Sequence, residues 1–261
     1  MKHGFSLVEL SIVLVILGLL TGGILAGQSL IRASELRTIT AQVSTYQAAI
    51  NTFRDKYFAL PGDMVNATSF WGRADTGATT GQCADPDTNT GASPRTCNGN
   101  GNGRTYWGDT DAAGVIGESF HAWQHLANAG LVEGNYTGIP GAALAYHTNT
   151  TNTPSTKLGS NTGVFYSWVG EQVGGGGFYA GSYGHTFYIG GHVTNSATFG
   201  PILKPEELWN IDVKMDDGKP AYGIVNPFTS VLTPGCTNND TMAAEYVLTA
   251  TTKLCALIFR L

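Results

Sequence analysis

Apolar and polar positions divide this chain into three stretches. Residues 4–26, GFSLVELSIVLVILGLLTGGILA, contain a single ionisable side chain, Glu9. As a helix, about 22 residues rise about 33 Å, enough to cross a bilayer. Next, Leu36, Ile39, Val43, Tyr46, Ile50, Phe53 and Tyr57 recur at steps of three and four, with Arg32, Arg37, Gln42, Gln47 and Arg54 elsewhere. That spacing predicts an amphipathic continuation of the same helix, with one face to bury. Leu60-Pro61-Gly62-Asp63 stops it, because proline and glycine do not continue a helix easily.

The third stretch changes period. Residues 73–104 and 135–161 are rich in Gly, Thr, Asn, Asp and Pro and read as long loops. Between them a short helix is expected over 117–131, with Phe120, Trp123, Leu126 and Ala127 as its buried side. Val164 to Val169 and Thr186 to Ile189 are aromatic and β-branched, hence strands, with Gly174 to Gly177 as a turn between them. Ile211 to Met215 and Ala221 to Val225 flank Asp216-Asp217-Gly218-Lys219 and read as a hairpin. Tyr246 to Thr249 and Leu254 to Leu261 complete an antiparallel sheet. One long helix followed by late strands predicts an α+β chain.

Composition narrows the function. Charged residues make up 13% of the chain, the net charge is −5, and Lys and Arg are scattered singly, so no nucleic-acid-binding face is expected. The 261 residues leave room after the helix for one sizeable domain. Cys83, Cys97, Cys236 and Cys255 all follow the apolar segment and would face an oxidising compartment. Four cysteines allow about three pairings, and proximity favours Cys83 with Cys97 and Cys236 with Cys255. Each such loop would stabilise by about 3 kcal/mol. The C-x2-C spacing of a zinc site is absent.

Glu9 is the residue that demands an explanation. A carboxylate inside a bilayer costs about 2.5 kcal/mol or more and points to a partner. Its setting, Lys2-His3-Gly4-Phe5-Ser6-Leu7-Val8-Glu9, resembles the processing site of type IV prepilins and of the pseudopilins of type II secretion systems. The resemblance implies cleavage between Gly4 and Phe5 by a prepilin peptidase and methylation of the new Phe5 amine. It also implies that Glu9 pairs with that amine on a neighbouring subunit. A pilin-like α+β fold is implied, its long N-terminal helix, membrane-spanning in the first half, packed against a C-terminal antiparallel sheet with long loops. In that family a C-terminal disulfide closes a loop, which here would be Cys236–Cys255. The implied organisation is a leader at 1–4, a membrane or filament-core helix at 5–26, its amphipathic continuation at 27–59 and a head at 60–261. Many pilins carry a helix-breaking proline near the position of Ala26; this chain has Gly18, Gly22, Gly23 and Gly27 instead. A conventional secretory signal cut near Leu25-Ala26-Gly27 is disfavoured by Glu9 within its apolar run.

Other constellations carry less. Asn98, Asn100 and Asn102 alternate with glycines and precede Asp109, echoing a calcium loop. Some pseudopilins bind calcium in the head, but calcium prefers carboxylates, so a turn-rich loop is the plainer reading. Asp85, Asp87, Asp109 and Asp111 are the acids within reach. His121 and His125 have metal-ligand spacing on one helical face, with Glu118 nearby, yet Ala122 stands where a zinc protease needs glutamate. No catalytic or nucleotide-binding signature appears, so no enzyme is expected. The expected molecule is a structural subunit of a type IV pilus or pilus-like filament, with a type II secretion pseudopilin and a signal-cleaved soluble periplasmic protein as alternatives. Its expected partners are pilin subunits, the prepilin peptidase, an inner-membrane assembly platform and the bilayer. It is placed in the inner membrane with a periplasmic head before assembly.

Overall fold

The computed structural model describes residues 6–74, 94–106, 109–111, 114–139, 148, 150–194 and 196–261, with 109–111 and 114–116 described by backbone alone. Gly4, Phe5, Cys83, Asp85 and Asp87 lie outside these residues, as do the side chains of Asp109 and Asp111.

Helix α1 (Leu7–Tyr57) is one unbroken element of 51 residues, about 76 Å long. It ends where Phe58 turns into the left-handed region at φ 53° and donates its N–H to Arg54 O. Of the stripe read from the sequence, Ile39, Val43, Tyr46, Ile50 and Phe53 are buried together with Ala49, and Leu36 and Tyr57 are partly buried against the same core.

That face packs on an antiparallel sheet of β3 (Thr162–Trp168), β6 (His185–Gly191), β8 (Leu257–Arg260) and β7 (Val225–Pro227), in that spatial order. Alternation along the strands separates the two sides. Val164, Tyr166, Phe187, Ile189, Leu257 and Phe259 join the α1 stripe in the main core. Phe165, Tyr188 and Ile258 point the other way and form a second core with Phe120 and Phe228. Cys236 and Cys255 are disulfide-bonded with Cα atoms 5.1 Å apart, and Leu203 bridges to Cys255. Cys97 is also disulfide-bonded. The expected α+β, pilin-like architecture is present.

Helix α2 (Ala67–Trp71) and strands β1 (Asp109–Asp111) and β2 (Gly114–Ile116) are short. Helix α3 (Glu118–Asn128) falls where the sequence places it, but it is buried on all sides: His121, Gln124 and His125 are as enclosed as Phe120 and Trp123. The glycine run lies at the turn between β4 (Glu171–Gly175) and β5 (Phe178–Ser182), with φ positive at all of Gly174, Gly175, Gly176 and Gly177.

Two expectations are corrected. Ile211 to Met215 is no strand; it is the end of helix α4 (Pro205–Met215). Pro205 opens that helix, Glu206 and Glu207 occupy its first turn, and Leu208 and Ile211 are buried at helical spacing. The strand preference of Ile211 and Val213 yields to this start signal and to burial against the core. Tyr246 to Thr249 is no strand either. Tyr246 makes one isolated bridge to Thr237, and its hydroxyl donates to Asp212 Oδ2 at 2.8 Å, which holds it on α4 instead of in the sheet.

Candidate assembly site

The apolar half of α1 leaves the head entirely. From Leu7 to Leu25 every large apolar side chain is half exposed or more, and the first fully buried residue of the helix is Ile39. Among the described residues this is the one helix long and apolar enough to cross a membrane, and its apolar stretch is not buried in the chain's own fold. A core helix of an ordinary domain would be covered; this one leaves its apolar surface uncovered by the rest of the described chain. Its few polar groups are satisfied internally. Ser11 donates to Val8 O, Thr21 to Leu17 O and Ser29 to Ala26 O, each at 2.8 Å, which suits a medium without water. A Cβ added to Gly18, Gly22, Gly23 or Gly27 would meet nothing within 4 Å, so nothing inside the subunit requires glycine there.

Glu9 sits in the first turn of α1. Its Oε2 accepts the Ser6 N–H at 2.9 Å, while Ser6 Oγ accepts the Val8 N–H at 3.3 Å. Ser6 and Glu9 thus form a capping box at the positive end of the helix dipole, which stabilises a carboxylate. Ser-x-x-Glu ahead of an apolar run is legible in the sequence, and reading Glu9 only as an orphaned charge overlooked it. In the isolated chain the carboxylate already has a backbone donor.

Arg32 marks the junction between the free half and the head. Its Nε donates to Glu207 Oε1 at 2.6 Å and its Nη2 to Glu207 Oε2 at 2.8 Å, a two-pronged pair. The same Nη2 reaches Ile202 O at 3.2 Å, and Nη1 reaches Glu35 at 3.0 Å. Hydrogen bonding to Glu207 raises the Arg32 pKa further. Burial pushes the Glu207 carboxyl up, but the Arg32 hydrogen bonds and the Lys204 N–H outweigh it and leave the pKa below the usual range. This clamp fixes the exit direction of the helix at α4. Arg32→Ala is expected to destabilise the head by about 1–2 kcal/mol, since both partners are partly screened by solvent. Urea unfolding of Arg32→Ala, Glu207→Ala and the double variant checks it; additive losses would mean the pair is not coupled.

The Asn-Gly loop docks beneath the end of α1. Gly101 and Asn102 donate their N–H groups to Asp63 Oδ1 at 2.6 and 3.0 Å, and Gly103 donates to Asp63 Oδ2 at 2.8 Å. Asn100 and Tyr106 donate theirs to the buried Glu118 carboxylate. The side-chain oxygens of Asn98, Asn100 and Asn102 accept the N–H groups of Thr68, Asn102 and Arg104. The loop therefore wraps backbone donors around a carboxylate supplied by the helix-stop segment. Gly101 and Gly103 stand at φ +75° and +79°, as this winding needs. Asp109, the fourth position of the echo, has no described side chain.

His121 and His125 are fully buried with ring centroids 6.2 Å apart. His125 Nδ1 accepts the Gly62 N–H at 3.0 Å, so its proton belongs on Nε2, which lies 3.0 Å from Thr96 Oγ1 and 3.2 Å from Cys97 O. Among the described residues neither ring nitrogen of His121 meets full hydrogen-bond geometry, although the nearby Gly117 backbone partly opposes the lowering of its pKa by burial. His125 joins the helix-stop segment to the loop around Cys97.

The family described as "Prokaryotic N-terminal methylation motif" matches residues 1–25, a prepilin-type motif typical of type IV pilins and pseudopilins. No curated protein and no solved structure matches the chain.

Proposed function

We propose that the chain is a structural subunit of a type IV pilus or pilus-like filament, assembled through its N-terminal helix. One observation carries the reading: the helix bearing the methylation motif leaves its apolar half wholly uncovered by the subunit's own fold. Residues 1–4 are the leader, 5–26 the membrane and filament-core segment, 27–59 the amphipathic continuation and 60–261 the head. Before assembly the apolar half anchors the subunit in the inner membrane. Prepilin peptidase cuts after Gly4 and the Phe5 amine is methylated. The anchored subunit then meets the assembly platform, and Glu9 exchanges its contact with its own Ser6 N–H for the Phe5 amine of a neighbour. Leu7 to Leu25, sequestered first by lipid, are then covered by other subunits.

Mass spectrometry of the mature N-terminus tests this. The expected peptide begins at Phe5 and is one methyl group heavier than its sequence; a mature chain beginning near Gly27 would overturn the reading. α1 runs unbroken through Leu25-Ala26-Gly27, which favours the first outcome. The same assembly step serves a surface pilus and a secretion pseudopilus. Filaments sheared from cells mark the pilus, and loss of export of other proteins on deletion marks the pseudopilus.

A further inference from the structure

We propose that a cavity on the sheet face turned away from α1 binds a small, uncharged aromatic compound of about indole size. The cavity holds about 380 Å³, within the range of small-ligand sites. Tyr188 from β6 and Phe228, just after β7, form its buried floor, both belonging to the second core rather than to the core under α1. Trp168 at the end of β3, Phe178 at the start of β5 and Phe199 line it further.

The rings are already locked before any ligand enters. Phe228 meets Tyr188 at 5.2 Å and 78°, Phe178 at 5.8 Å and 63°, and Phe199 at 5.9 Å and 61°, all edge to face. Such contacts oppose the positive edge of one ring to the negative face of the next, and a further ring can join on the same terms. A preformed site loses little freedom on binding.

The chemistry of the lining selects the class. Among the described residues no lining side chain is charged, so an ionised ligand would lose its hydration without compensation from them. Among the described lining residues Gln172 and Ser196 are the polar side chains besides the rings. The Gln172 Nε2 donates to Val169 O at 3.1 Å, which leaves its carbonyl oxygen to accept one N–H or O–H. A sugar ring of the same size would bring several hydroxyl groups with too few partners. An aromatic ring with one donor matches the site. The inference goes beyond the filament reading and does not depend on it.

The test titrates 5-fluoroindole into the full-length protein in lipid nanodiscs, observed by fluorine NMR, with empty nanodiscs giving the lipid background. Saturable binding below about 1 mM is expected, the range open to so small a ligand. Ala197→Trp and Leu232→Phe fill the cavity from two lining positions; at least tenfold weaker binding is expected from whichever variant melts like the wild type. Methyl glucoside is expected not to compete. Absence of saturable binding above the empty discs, unchanged binding in both filled variants, or displacement by the glucoside would each overturn the proposal.

Discussion

Glu9→Val is expected to leave the subunit cleaved, methylated and membrane-bound while reducing its incorporation into filaments a hundredfold or more. In the free subunit the change removes only the bond from Ser6 N–H to the carboxylate. A lost cap costs about 0.5–2 kcal/mol, and a helix of 51 residues absorbs that by fraying at its first turn. In a filament the loss is larger. Each Phe5 amine would then sit among apolar side chains with no counter-charge, and stripping one partner from a buried ion pair costs about 3–5 kcal/mol. At about 1.4 kcal/mol per factor of ten, that is a hundredfold or more for every subunit added. Glu9→Gln separates the two roles of the residue. It keeps an oxygen to accept the Ser6 N–H but carries no charge, so it is expected to fail as Glu9→Val does. Quantifying sheared or cross-linked filaments against total membrane subunit reads the outcome; normal assembly of Glu9→Gln would reduce Glu9 to a helix cap.

The elements legible in the sequence were those with a clean period and a flat partner. Ile39 to Phe53 recur at helical spacing, and the aromatic and β-branched runs Val164 to Val169 and Thr186 to Ile189 mark β3 at the sheet edge and β6 inside it. In one segment two local signals compete. Ile211-Asp212-Val213 alternates like a strand, yet Lys204-Pro205-Glu206-Glu207 just upstream is a helix start, and it governs the segment. The prepilin-type motif over residues 1–25 was legible because it is local. Its anchorage was not. Arg32 and Glu207 are 175 residues apart, and the groups meeting at Asp63, Glu118 and His125 come from distant loops. Such pairings depend on tertiary register, which no local pattern encodes. The alternating oxygens of Asn98, Asn100 and Asn102 are visible in the sequence, but the convergence of the Gly101, Asn102 and Gly103 backbone donors on Asp63 is not.

Acidification is expected to destabilise the head by about 4 kcal/mol between pH 7 and pH 5, through histidines that fold neutral. Burial lowers the pKa of His121 to about 4, of His125 to about 3 and of His185 to about 4. Two of them also serve as acceptors. His125 Nδ1 takes the Gly62 N–H and His185 Nε2 takes the Thr105 N–H, so a proton added at either nitrogen would displace a backbone donor. The unfolded chain protonates all three near pH 6.5, whereas the folded chain holds them neutral until about pH 4. Their stabilising effect is thus complete above pH 6.5 and is lost as pH falls toward the folded values. Asp212 opposes them in sign. Burial raises its carboxyl to about 6, so the folded state takes up this proton first and gains stability as pH falls. Three protons against somewhat less than one leave a net uptake of about two on unfolding, or about 2.7 kcal/mol per pH unit at the steepest. Against a typical domain stability of about 5–15 kcal/mol, the loss of about 4 kcal/mol is from about a quarter to most of the total. His121→Leu isolates one contribution. Among the described residues neither ring nitrogen of His121 meets full hydrogen-bond geometry, the Gly117 backbone being only a loose polar contact, so the change should leave stability at pH 7 about equal and should flatten the slope by about 1.4 kcal/mol per unit. Urea unfolding in detergent, followed by tryptophan fluorescence at half-unit steps from pH 7.5 to 4.5, gives both slopes. A stability that does not change across that window would mean the histidines are solvated in the folded head, contrary to their burial.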